Sequence, residues 1–249
     1  MPPSSPAPKQ PTDSAAASTP LRVLVALGPT QEPIDDVRYI GNRSSGRMGL
    51  AIAQAFAQAG CQVTAAAGPG VAEAALREAV GAGAKPGATA RFRTARDLAQ
   101  LLGNLWPAHD LLIMAAAVAD FRPRAPMSGK HRRESGAFAL ELEPTEDILT
   151  SLAPATRPDQ FVVGFALERP QELEASARAK LARKRVDAIV ANPLETMDAP
   201  DVEGRVLCAD GTWRAPGTRL PKPEFARWLC GWVLPAALER RAAGARTRP

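Results

Sequence analysis

The chain has 249 residues, with 31 Lys and Arg against 26 Asp and Glu, which gives a formal net charge of +5. Apolar residues make up 45% and charged residues 23%, the usage of ordinary globular proteins, so the composition excludes a fibre and a wholly disordered chain. Three scattered cysteines exclude a disulfide framework and a Cys-x-x-Cys zinc site, and the presence of only two histidines argues against a His-rich metal centre or a Ser-His-Asp triad. No apolar run approaches the ~18 residues of a transmembrane helix.

The two ends of the chain differ in composition from its middle. Residues 1–20 are rich in Pro, Ser and Ala and lack the basic start and apolar core of a secretory signal, so we expect a disordered extension. Residues 241–249 form a basic tail, which explains much of the net charge without nucleic acid. We therefore expect one folded domain over residues 21–240, in the cytoplasm.

Strand-like apolar runs alternate with helical patterns along the middle of the chain. In chain order we predict a strand at 22–27, a helix at 47–59, a strand at 62–67, a helix from a capping box at Thr94 and Asp97 to Trp106, strands at 110–116 and 160–166, a helix from near Pro170, and a strand at 186–191. Such alternation predicts an α/β fold, with a mostly parallel sheet and helices on both faces.

The C-terminal third departs from this alternation. The Asp210-Gly211 pair between two short extended runs predicts a β-hairpin over residues 205–214. A final helix is predicted from Lys222 to about Arg240. Its residues Trp228 and Trp232 lie four apart on one face, which is typical of a core stripe or a subunit contact.

The segment after the first strand is unusually long for a strand-to-helix connection. It runs from Gly28 to Gly49, leaving about 18 residues between strand and helix where about 2–6 are normal. Glycine amides and a helix N-terminus at its end favour an anion site, although Arg47 and Met48 break the P-loop pattern and no G-x-G-x-x-G follows the strand. A plain turn into the helix is the alternative. The extra donors of residues 42, 44 and 45 favour phosphate binding.

Two further segments carry charge that could serve a ligand. After the strand at 110–116, small residues 115–117 could accept a flat ring, Asp120 could accept a hydrogen bond, and basic residues 130, 132 and 133 form a cationic arm suited to a polyphosphate. A solvated charge run is the alternative. On the helix after Pro170, spacing alone makes Lys180 and Lys184 more typical of a surface face than of a ligand site.

Six segments in this order resemble the phosphopantothenoylcysteine synthetase family, the synthetase half of the bifunctional coenzyme A biosynthesis protein: GPTQEPIDDVRYIGNRSSGRMG, AAAVADFRP, KHRR, PTEDIL, VGFALE and KLARKRVDAIVAN. The resemblance covers about residues 21–240. It implies a modified Rossmann-like sheet, a homodimer, and a ligase that uses CTP with Mg²⁺, ATP remaining open. The ligase would convert 4′-phosphopantothenate to an acyl-cytidylate and then join it to L-cysteine, releasing pyrophosphate and CMP.

The resemblance also implies roles for individual residues. Asn42 would handle the acyl-nucleotide intermediate and Lys130 would close over the reacting groups, so these are the candidate catalytic residues. The candidate substrate-binding residues are Asn42, Arg38 and Asn192. No protein metal ligand is implied. The candidate nucleotide-binding residues are Gly28, Ser44, Ser45, Gly46, Met114, Ala115, Ala116, Asp120, Lys130, Glu146, Asp147, Ile148, Leu149, Phe165, Lys180 and Lys184.

Several positions depart from the family's pattern. They are Pro29 in place of a glycine, Gln31 in place of an arginine, Arg132 and Arg133 in place of lysines, and Gly204 in place of a frequent asparagine. These changes bear on affinity more than on reaction type. No flavin-binding segment precedes Leu21, so we expect a stand-alone synthetase with a separate decarboxylase in its pathway.

Two other classes of function compete with a ligase. A nicotinamide-dependent short-chain reductase shares the architecture, but it needs a Tyr with a Lys four residues on, and the sole tyrosine, Tyr39, is followed by Arg43. Nucleic-acid binding is disfavoured because Tyr and Phe are sparse beside the basic runs. We expect small-molecule partners, and neither nucleic acid nor a membrane.

Overall fold

The computed structural model describes residues 19–85, 87–132, 134, 136–197 and 199–246. Residues 1–18, Arg133 and the last three residues of the basic tail lie outside the described residues. The helices are α1 (Arg47–Gln58), α2 (Glu73–Val80), α3 (Ala95–Leu105), α4 (Ile148–Leu152), α5 (Leu173–Lys184) and α6 (Lys222–Arg246). The strands are β1 (Arg22–Pro29), β2 (Gln31–Pro33), β3 (Tyr39–Gly41), β4 (Gln62–Ala67), β5 (Thr89–Arg91), β6 (Leu111–Ala117), β7 (Phe121–Pro123), β8 (Leu142–Pro144), β9 (Phe161–Glu168), β10 (Ala188–Pro193), β11 (Asp201–Val202), β12 (Arg205–Cys208), β13 (Trp213–Arg214) and β14 (Leu220–Pro221).

Eight strands form the central sheet, in the order β13-β12-β10-β9-β6-β1-β4-β5. The six strands from β10 to β5 are parallel, whereas β12 and β13 add an antiparallel edge. Numbered along the chain, the parallel strands follow the doubly wound order 3-2-1-4-5-6, in which the order reverses between β1 and β6. The predicted α/β fold class is confirmed.

Helices cover both faces of the sheet, so β1 is buried on both sides. Along β1, Val23 and Val25 point to the layer formed by α1, α2 and α6, while Leu24 and Ala26 point to the layer of α3, α4 and α5. This burial explains why β1 reads as an unbroken apolar run rather than an alternating one. Helix α1 lies very close to β1, because an added Cβ at Gly49 would lie 2.3 Å from the Cβ of Leu27.

Most predicted elements are present, with ends that coincide or are shifted by up to three residues. The capping box of α3 is confirmed, with the Thr94 hydroxyl accepting from the Asp97 N–H at 3.0 Å and the Asp97 carboxylate accepting from the Thr94 N–H at 2.9 Å. The hairpin is confirmed as the pair β12 and β13. Helix α5 begins at Leu173 rather than near Pro170, because the preceding residues form a turn.

Helix α6 is longer than predicted and packs along the sheet. It continues to Arg246 instead of ending near Arg240. Trp228 and Trp232 are half-buried against the core of the α1 and α6 layer, as a core stripe requires. No helix within the described ranges, α6 included, is both long and apolar enough to cross a membrane.

Arginines tie the chain together at the amino ends of the strands. The guanidinium of Arg22 donates to Asp110 Oδ1 at 2.7 Å across β1 and β6. From the end of α6, Arg241 donates to the carbonyl oxygens of Thr19 and Pro20 at 3.0 and 3.4 Å. The start of the described chain is thus fixed at the end of the sheet opposite to the carboxyl ends of the strands.

Candidate functional site

Two long loops meet where the strand order reverses, at the carboxyl ends of β1 and β6. The first loop (residues 30–46) carries the hairpin of β2 and β3, and the second loop (residues 118–147) carries the hairpin of β7 and β8. Buried Thr30 joins them, because its N–H donates to the Ala117 carbonyl at 3.1 Å and its hydroxyl accepts from the Ala119 N–H at 2.9 Å. In open α/β sheets this is the position where ligands bind.

Asn42 lies on the seam between the two loops. Its side-chain Nδ2 donates to the Val118 carbonyl at 2.8 Å, and the residue is exposed. The structure thus brings the candidate catalytic amide of the first loop against the second loop. An exposed amide at this edge can meet a ligand without any change in the core.

The N-terminus of α1 lies beside Asn42 in the chain and has the features of an anion site. Gly46, at the N-cap with φ +72°, provides no side-chain cap, and the first turn contains no acid. Among the described residues, Ser44 Oγ accepts from the Gly46 N–H at 3.4 Å, while Ser45 is exposed. The first turn therefore offers N–H groups to an anion, and no carboxylate of the described residues caps them.

Glycines allow this helix end to approach the end of β1. Gly28, at φ +83°, lies next to Gly46, since an added Cβ at Gly46 would lie 3.4 Å from the Gly28 Cα and 2.8 Å from Val71 Cγ2. Both backbones would be strained with any other residue. The predicted candidates Gly28, Ser44, Ser45 and Gly46 are thus brought together.

Three of the predicted residues lie on the α1 and α6 face of the sheet, at the carboxyl ends of β6, β9 and β10. They are Ala115, Phe165 and Asn192, all half-buried. The Oδ1 of Asn192 is buried without a hydrogen-bond partner among the described residues. An added Cβ at Gly204 would lie 2.7 Å from that atom and 2.7 Å from Phe225. The absence of a side chain at Gly204 therefore provides the space that the Asn192 side chain occupies.

The remaining predicted residues lie on the other face. Met114, Ile148 and Leu149 are buried in the core there, so their side chains offer no surface to a ligand and only their backbone could contact one. Half-buried Ala116 packs beside them. Asp120 and Glu146 are exposed in the second loop. The predicted nucleotide-binding set is thus divided between the two faces of the sheet.

The two lysines of α5 are ion-paired within the protein. Lys180 Nζ lies 2.7 Å from Glu168 Oε1, and Lys184 Nζ lies 2.7 Å from Asp147 Oδ1. Burial, the largest influence, raises the pKa of each carboxyl group, but the lysine hydrogen bonds and charges outweigh it and the pKa of each lies below its ordinary value. The lysines are therefore neither free surface groups nor free to meet a phosphate without exchanging partners.

Arg38 is engaged with the protein rather than left free for a substrate. Its guanidinium donates to Asp35 Oδ2 at 2.8 Å and to the His131 carbonyl at 3.0 Å. By contrast, Lys130 is exposed and makes no ion pair with any described residue. Arg132 is exposed beside it.

The sequence pattern did not identify two acidic residues of the first loop that contact the arm. Asp35 is buried and Asp36 is exposed, and both accept hydrogen bonds from backbone N–H groups of the second loop. One feature of the sequence could have identified them, because Asp35 and Asp36 form an acidic pair inside a loop that is otherwise suited to binding an anion. Over the described ranges, no three His, Cys, Asp or Glu residues are grouped so that they could hold a metal ion.

Comparison with known proteins agrees with this architecture. Residues 19–235 match the family model described as the DNA/pantothenate metabolism flavoprotein C-terminal domain. The chain resembles the coenzyme A biosynthesis bifunctional protein CoaBC of Bacillus subtilis, at 37% identity over 71% of this chain and 41% of that protein. It also resembles a protein named cysteine/cysteine sulfinic acid decarboxylase from an unknown prokaryote, at 40% identity over 70% of this chain and 46% of that protein. The chain spans less than half the length of these curated relatives.

Among solved structures, the fold matches the crystal structure of the C-terminal domain of a coenzyme A biosynthesis bifunctional protein CoaBC. The TM-score is 0.71 at 28% identity, covering 88% of this chain and 98% of that domain. The region shared with the longer relatives is therefore a domain of its own.

Proposed function

The chain belongs to the family of the DNA/pantothenate metabolism flavoprotein C-terminal domain, and we propose that it joins 4′-phosphopantothenate to L-cysteine in coenzyme A biosynthesis. The observation that carries the proposal is the meeting of the two loops at the N-terminus of α1, where Asn42 contacts the second loop. Relatives named for coenzyme A biosynthesis support the pathway. The decarboxylase name belongs to a protein of which the chain covers less than half.

The reaction divides into two steps that this set of groups suits. The carboxylate of 4′-phosphopantothenate attacks the α-phosphorus of a nucleoside triphosphate, which forms the acyl-nucleotide and expels pyrophosphate. The amine of cysteine then attacks the acyl carbonyl, which forms the amide, releases the nucleoside monophosphate and loses one proton to water. Both steps need charge stabilisation rather than a protein nucleophile.

We assign the stabilisation to groups around the two loops. The uncapped N–H groups of α1 would bind the phosphates of the triphosphate. The Asn42 amide would donate to the acyl-nucleotide, a contribution of roughly 2.7–4 kcal/mol if it acts as an oxyanion-hole donor. The exposed ammonium of Lys130 would cover the negative charge from the second loop. On one face of the sheet, Asn192 would contact 4′-phosphopantothenate and Phe165 would line the nucleotide pocket.

The lysines of α5 would take part only after a change of partner. Lys180 and Lys184 would leave Glu168 and Asp147 for the triphosphate, since each has a carboxylate at 2.7 Å now. Those carboxylates keep the lysines extended toward the carboxyl end of β9 and the N-terminus of α4. The ion pairs would thus hold both lysines ready for a polyanion.

CTP with Mg²⁺ and a homodimer, taken from the resemblance, and a cytoplasmic location, expected from the composition, complete the proposal. The described residues provide no cluster of metal ligands, so they do not fit a protein-held Mg²⁺ and we derive no step through the ion. Mg²⁺ prefers phosphate oxygens and water to all-protein cages, which suits a cation that arrives with the triphosphate. The product would pass to a flavin-dependent decarboxylase.

The test is an assay of pyrophosphate release by the full chain. Release should require both 4′-phosphopantothenate and a nucleoside triphosphate, and the amide should form only when cysteine is added. Parallel reactions with CTP and ATP decide the nucleotide. Oxidation of NADPH by the chain, without pyrophosphate release, would refute the proposal.

The reductase alternative finds no support in the site. Tyr39 is 50% exposed on the hairpin of β2 and β3, and Arg43 occupies the position where that chemistry needs a lysine. The glycines at the end of β1 are spread along the chain and do not form the dinucleotide fingerprint.

A further inference from the structure

We propose that Asp35 and Asp36 are positioning residues that fix the arm so that Lys130 is presented to the site. This inference rests on the proposed function, in which Lys130 acts on the reacting groups. The contacts between residues 34–38 of the first loop and residues 127–131 of the second loop are called the clip below. None of its carboxylates is assigned to the substrate.

The clip holds the residue before Lys130 by both of its backbone groups. The N–H of Gly129 donates to Asp36 Oδ2 at 2.9 Å, and its carbonyl accepts from the Asp36 N–H at 3.1 Å. Two residues earlier, the N–H of Met127 donates to the Ile34 carbonyl at 2.8 Å. These hydrogen bonds join the two loops side by side over residues 34–36 and 127–129.

The clip also holds the residue after Lys130 by both of its backbone groups. The N–H of His131 donates to Asp35 Oδ2 at 3.2 Å, and its carbonyl accepts from Arg38 Nη2 at 3.0 Å. The same Asp35 oxygen accepts from Arg38 Nη1 at 2.8 Å. Arg38 and Asp35 therefore act together on the same residue of the arm.

Asp35 is built to remain an anion in this place. Its side chain is fully buried, and N–H groups of Val37 and Arg38 donate to its Oδ1 at 2.8 and 2.7 Å. The hydrogen bond from Val37, followed by those from Arg38 and His131 and the charge of Arg38, lowers the pKa of Asp35 despite desolvation. A charged acceptor makes these bonds stronger than neutral ones.

The consequence concerns Lys130, the residue between the two held neighbours. Its backbone is fixed on both sides, while its side chain is exposed and makes no ion pair with any described residue. The first loop, which carries Asn42 and leads into α1, thereby sets where the lysine of the second loop lies. The first loop thus positions both candidate catalytic residues relative to each other. This favours catalysis because the groups are already in place before the substrates react.

Asp36→Ala tests the clip directly, because it removes the acceptor of the Gly129 N–H. Residue-resolved hydrogen–deuterium exchange should show the Gly129 amide exchanging about tenfold faster, as loss of a hydrogen bond to a charged group implies. Asp36→Asn keeps an oxygen acceptor and should restore most of the protection. Asp210→Ala is the matched control, since that exposed aspartate caps a turn through Thr212 at the other end of the sheet.

Kinetics then separate positioning from a merely structural role. In Asp36→Ala we expect kcat to fall about tenfold while KM for the nucleotide stays within twofold, and Asp36→Asn to recover the rate. In a Lys130→Gln background the same change should lower kcat less than twofold, because residues that act through one another are not additive. An equal loss in both backgrounds would overturn the proposal.

The exchange measurement keeps this inference separate from the proposed function. An unchanged Gly129 exchange rate in Asp36→Ala would overturn the clip, whatever the protein catalyses. Faster exchange together with a wild-type chain that releases no pyrophosphate would overturn the proposed function, while still supporting the clip. Changes in Asp210→Ala as large as those in Asp36→Ala would overturn the clip as well.

Discussion

At the scale of single residues, the close contact between β1 and α1 depends on three glycines. Gly28, Gly46 and Gly49 are spread over 22 positions, yet an added Cβ at Gly49 would lie 2.3 Å from Leu27 of β1, and one at Gly46 would lie 2.8 Å from Val71 and 3.4 Å from Gly28. In the dinucleotide fingerprint, neighbouring glycines allow the turn, the approach of the ligand and the packing of helix on strand. In this protein the glycines that allow the turn and the close packing lie at the two ends of the segment from Gly28 to Gly49.

Gly49→Ala tests this packing. The new methyl group would lie 2.3 Å from the Cβ of Leu27, which cannot move away because it belongs to a buried strand, so the free energy of unfolding should fall by about 1–3 kcal/mol. Urea unfolding gives the value. The matched control is Gly103→Ala on α3, where nothing lies within 4 Å and higher helix propensity should stabilise the protein by up to about 1 kcal/mol. Equal stability of the two variants would contradict the close approach.

Asn42→Asp tests the amide at the seam. The carboxylate cannot donate to the Val118 carbonyl or to an acyl-nucleotide, while the anion site at α1 is untouched. We expect the variant to release pyrophosphate in an amount proportional to the enzyme present and to accumulate the acyl-nucleotide. The rate of amide formation should fall by about 100-fold, the size expected for loss of an oxyanion-hole donor. Quenched-flow chromatography of the nucleotide products measures it. Turnover at the wild-type rate would remove Asn42 from this role.

At the scale of elements, helix ends are set by side-chain caps. Helix α3 begins at a reciprocal capping box between Thr94 and Asp97, whereas α1 begins at an uncapped glycine beside the candidate site. The cap stabilises one helix by satisfying its N–H groups, and the absence of a cap leaves those of the other for a ligand. The contrast between the two helix ends follows from the residue at each N-cap.

Thr94→Ala should therefore destabilise the protein. Loss of the acceptor for the Asp97 N–H should lower the free energy of unfolding by about 0.5–2 kcal/mol, measured from the urea midpoint. Thr218→Ala, an exposed threonine in the turn before β14, serves as the control and should stay within about 0.5 kcal/mol of wild type. A Thr94→Ala variant as stable as this control would show that the cap contributes nothing.

The elements that could be predicted are those with a long apolar run or a strong cap. The sequence predicts the strands β1, β4 and β6 from their apolar runs and the helix α3 from its cap. The hairpin of β2 and β3 does not, because its three-residue strands have no alternation and pair only when the loop packs on the sheet. Helix α2 and strand β5 were likewise not predicted.

Pairing between distant side chains limited the prediction of the site. Lys180 and Lys184 are the right spacing apart on one helix, but their partners Glu168 and Asp147 lie 12 and 37 positions away and only the fold brings them near. The same holds for Asp36 and Gly129, which are 93 positions apart. Local patterns locate an anion site at a helix N-terminus; the contacts that orient it are properties of the assembled molecule.

At the scale of the whole molecule, the two ends of the sheet have different chemistry. The carboxyl ends carry the loops and exposed cationic groups, whereas the amino ends carry His109 and ion pairs in which partly exposed arginines meet largely buried aspartates. The imidazole of His109 lies 2.7 Å from the Leu105 carbonyl and 2.9 Å from the Thr64 hydroxyl. Burial, the largest influence, lowers the pKa of His109 below its ordinary value of 6.5.

This histidine should make stability depend on pH. With a folded pKa below the unfolded one, the unfolded state binds more protons, so the stabilisation is complete above about pH 6.5 and is lost as the pH falls through the folded pKa. The free energy of unfolding should fall with a slope of at most about 1.4 kcal/mol per pH unit for this one proton. Urea unfolding between pH 8 and pH 5 measures it.

His109→Gln is the reference for that measurement. Asp187, whose pKa burial raises, titrates with the opposite sign, but it is present in both proteins and its effect cancels in their difference. We expect the difference in unfolding free energy between wild type and His109→Gln to shrink as the pH falls. A difference that is constant with pH would contradict a shifted pKa in the folded state.

Arg241 anchors Thr19 and Pro20, which has a practical consequence for immobilising the protein on a surface or fusing it to a reporter. A tether joined directly to Thr19 would start from the pole of the molecule that faces away from the two loops. An immobilised or reporter-fused form built through this end would present its reactive pole to the bulk solution. Sensors and single-molecule experiments can therefore use this attachment without obstructing the approach of small molecules.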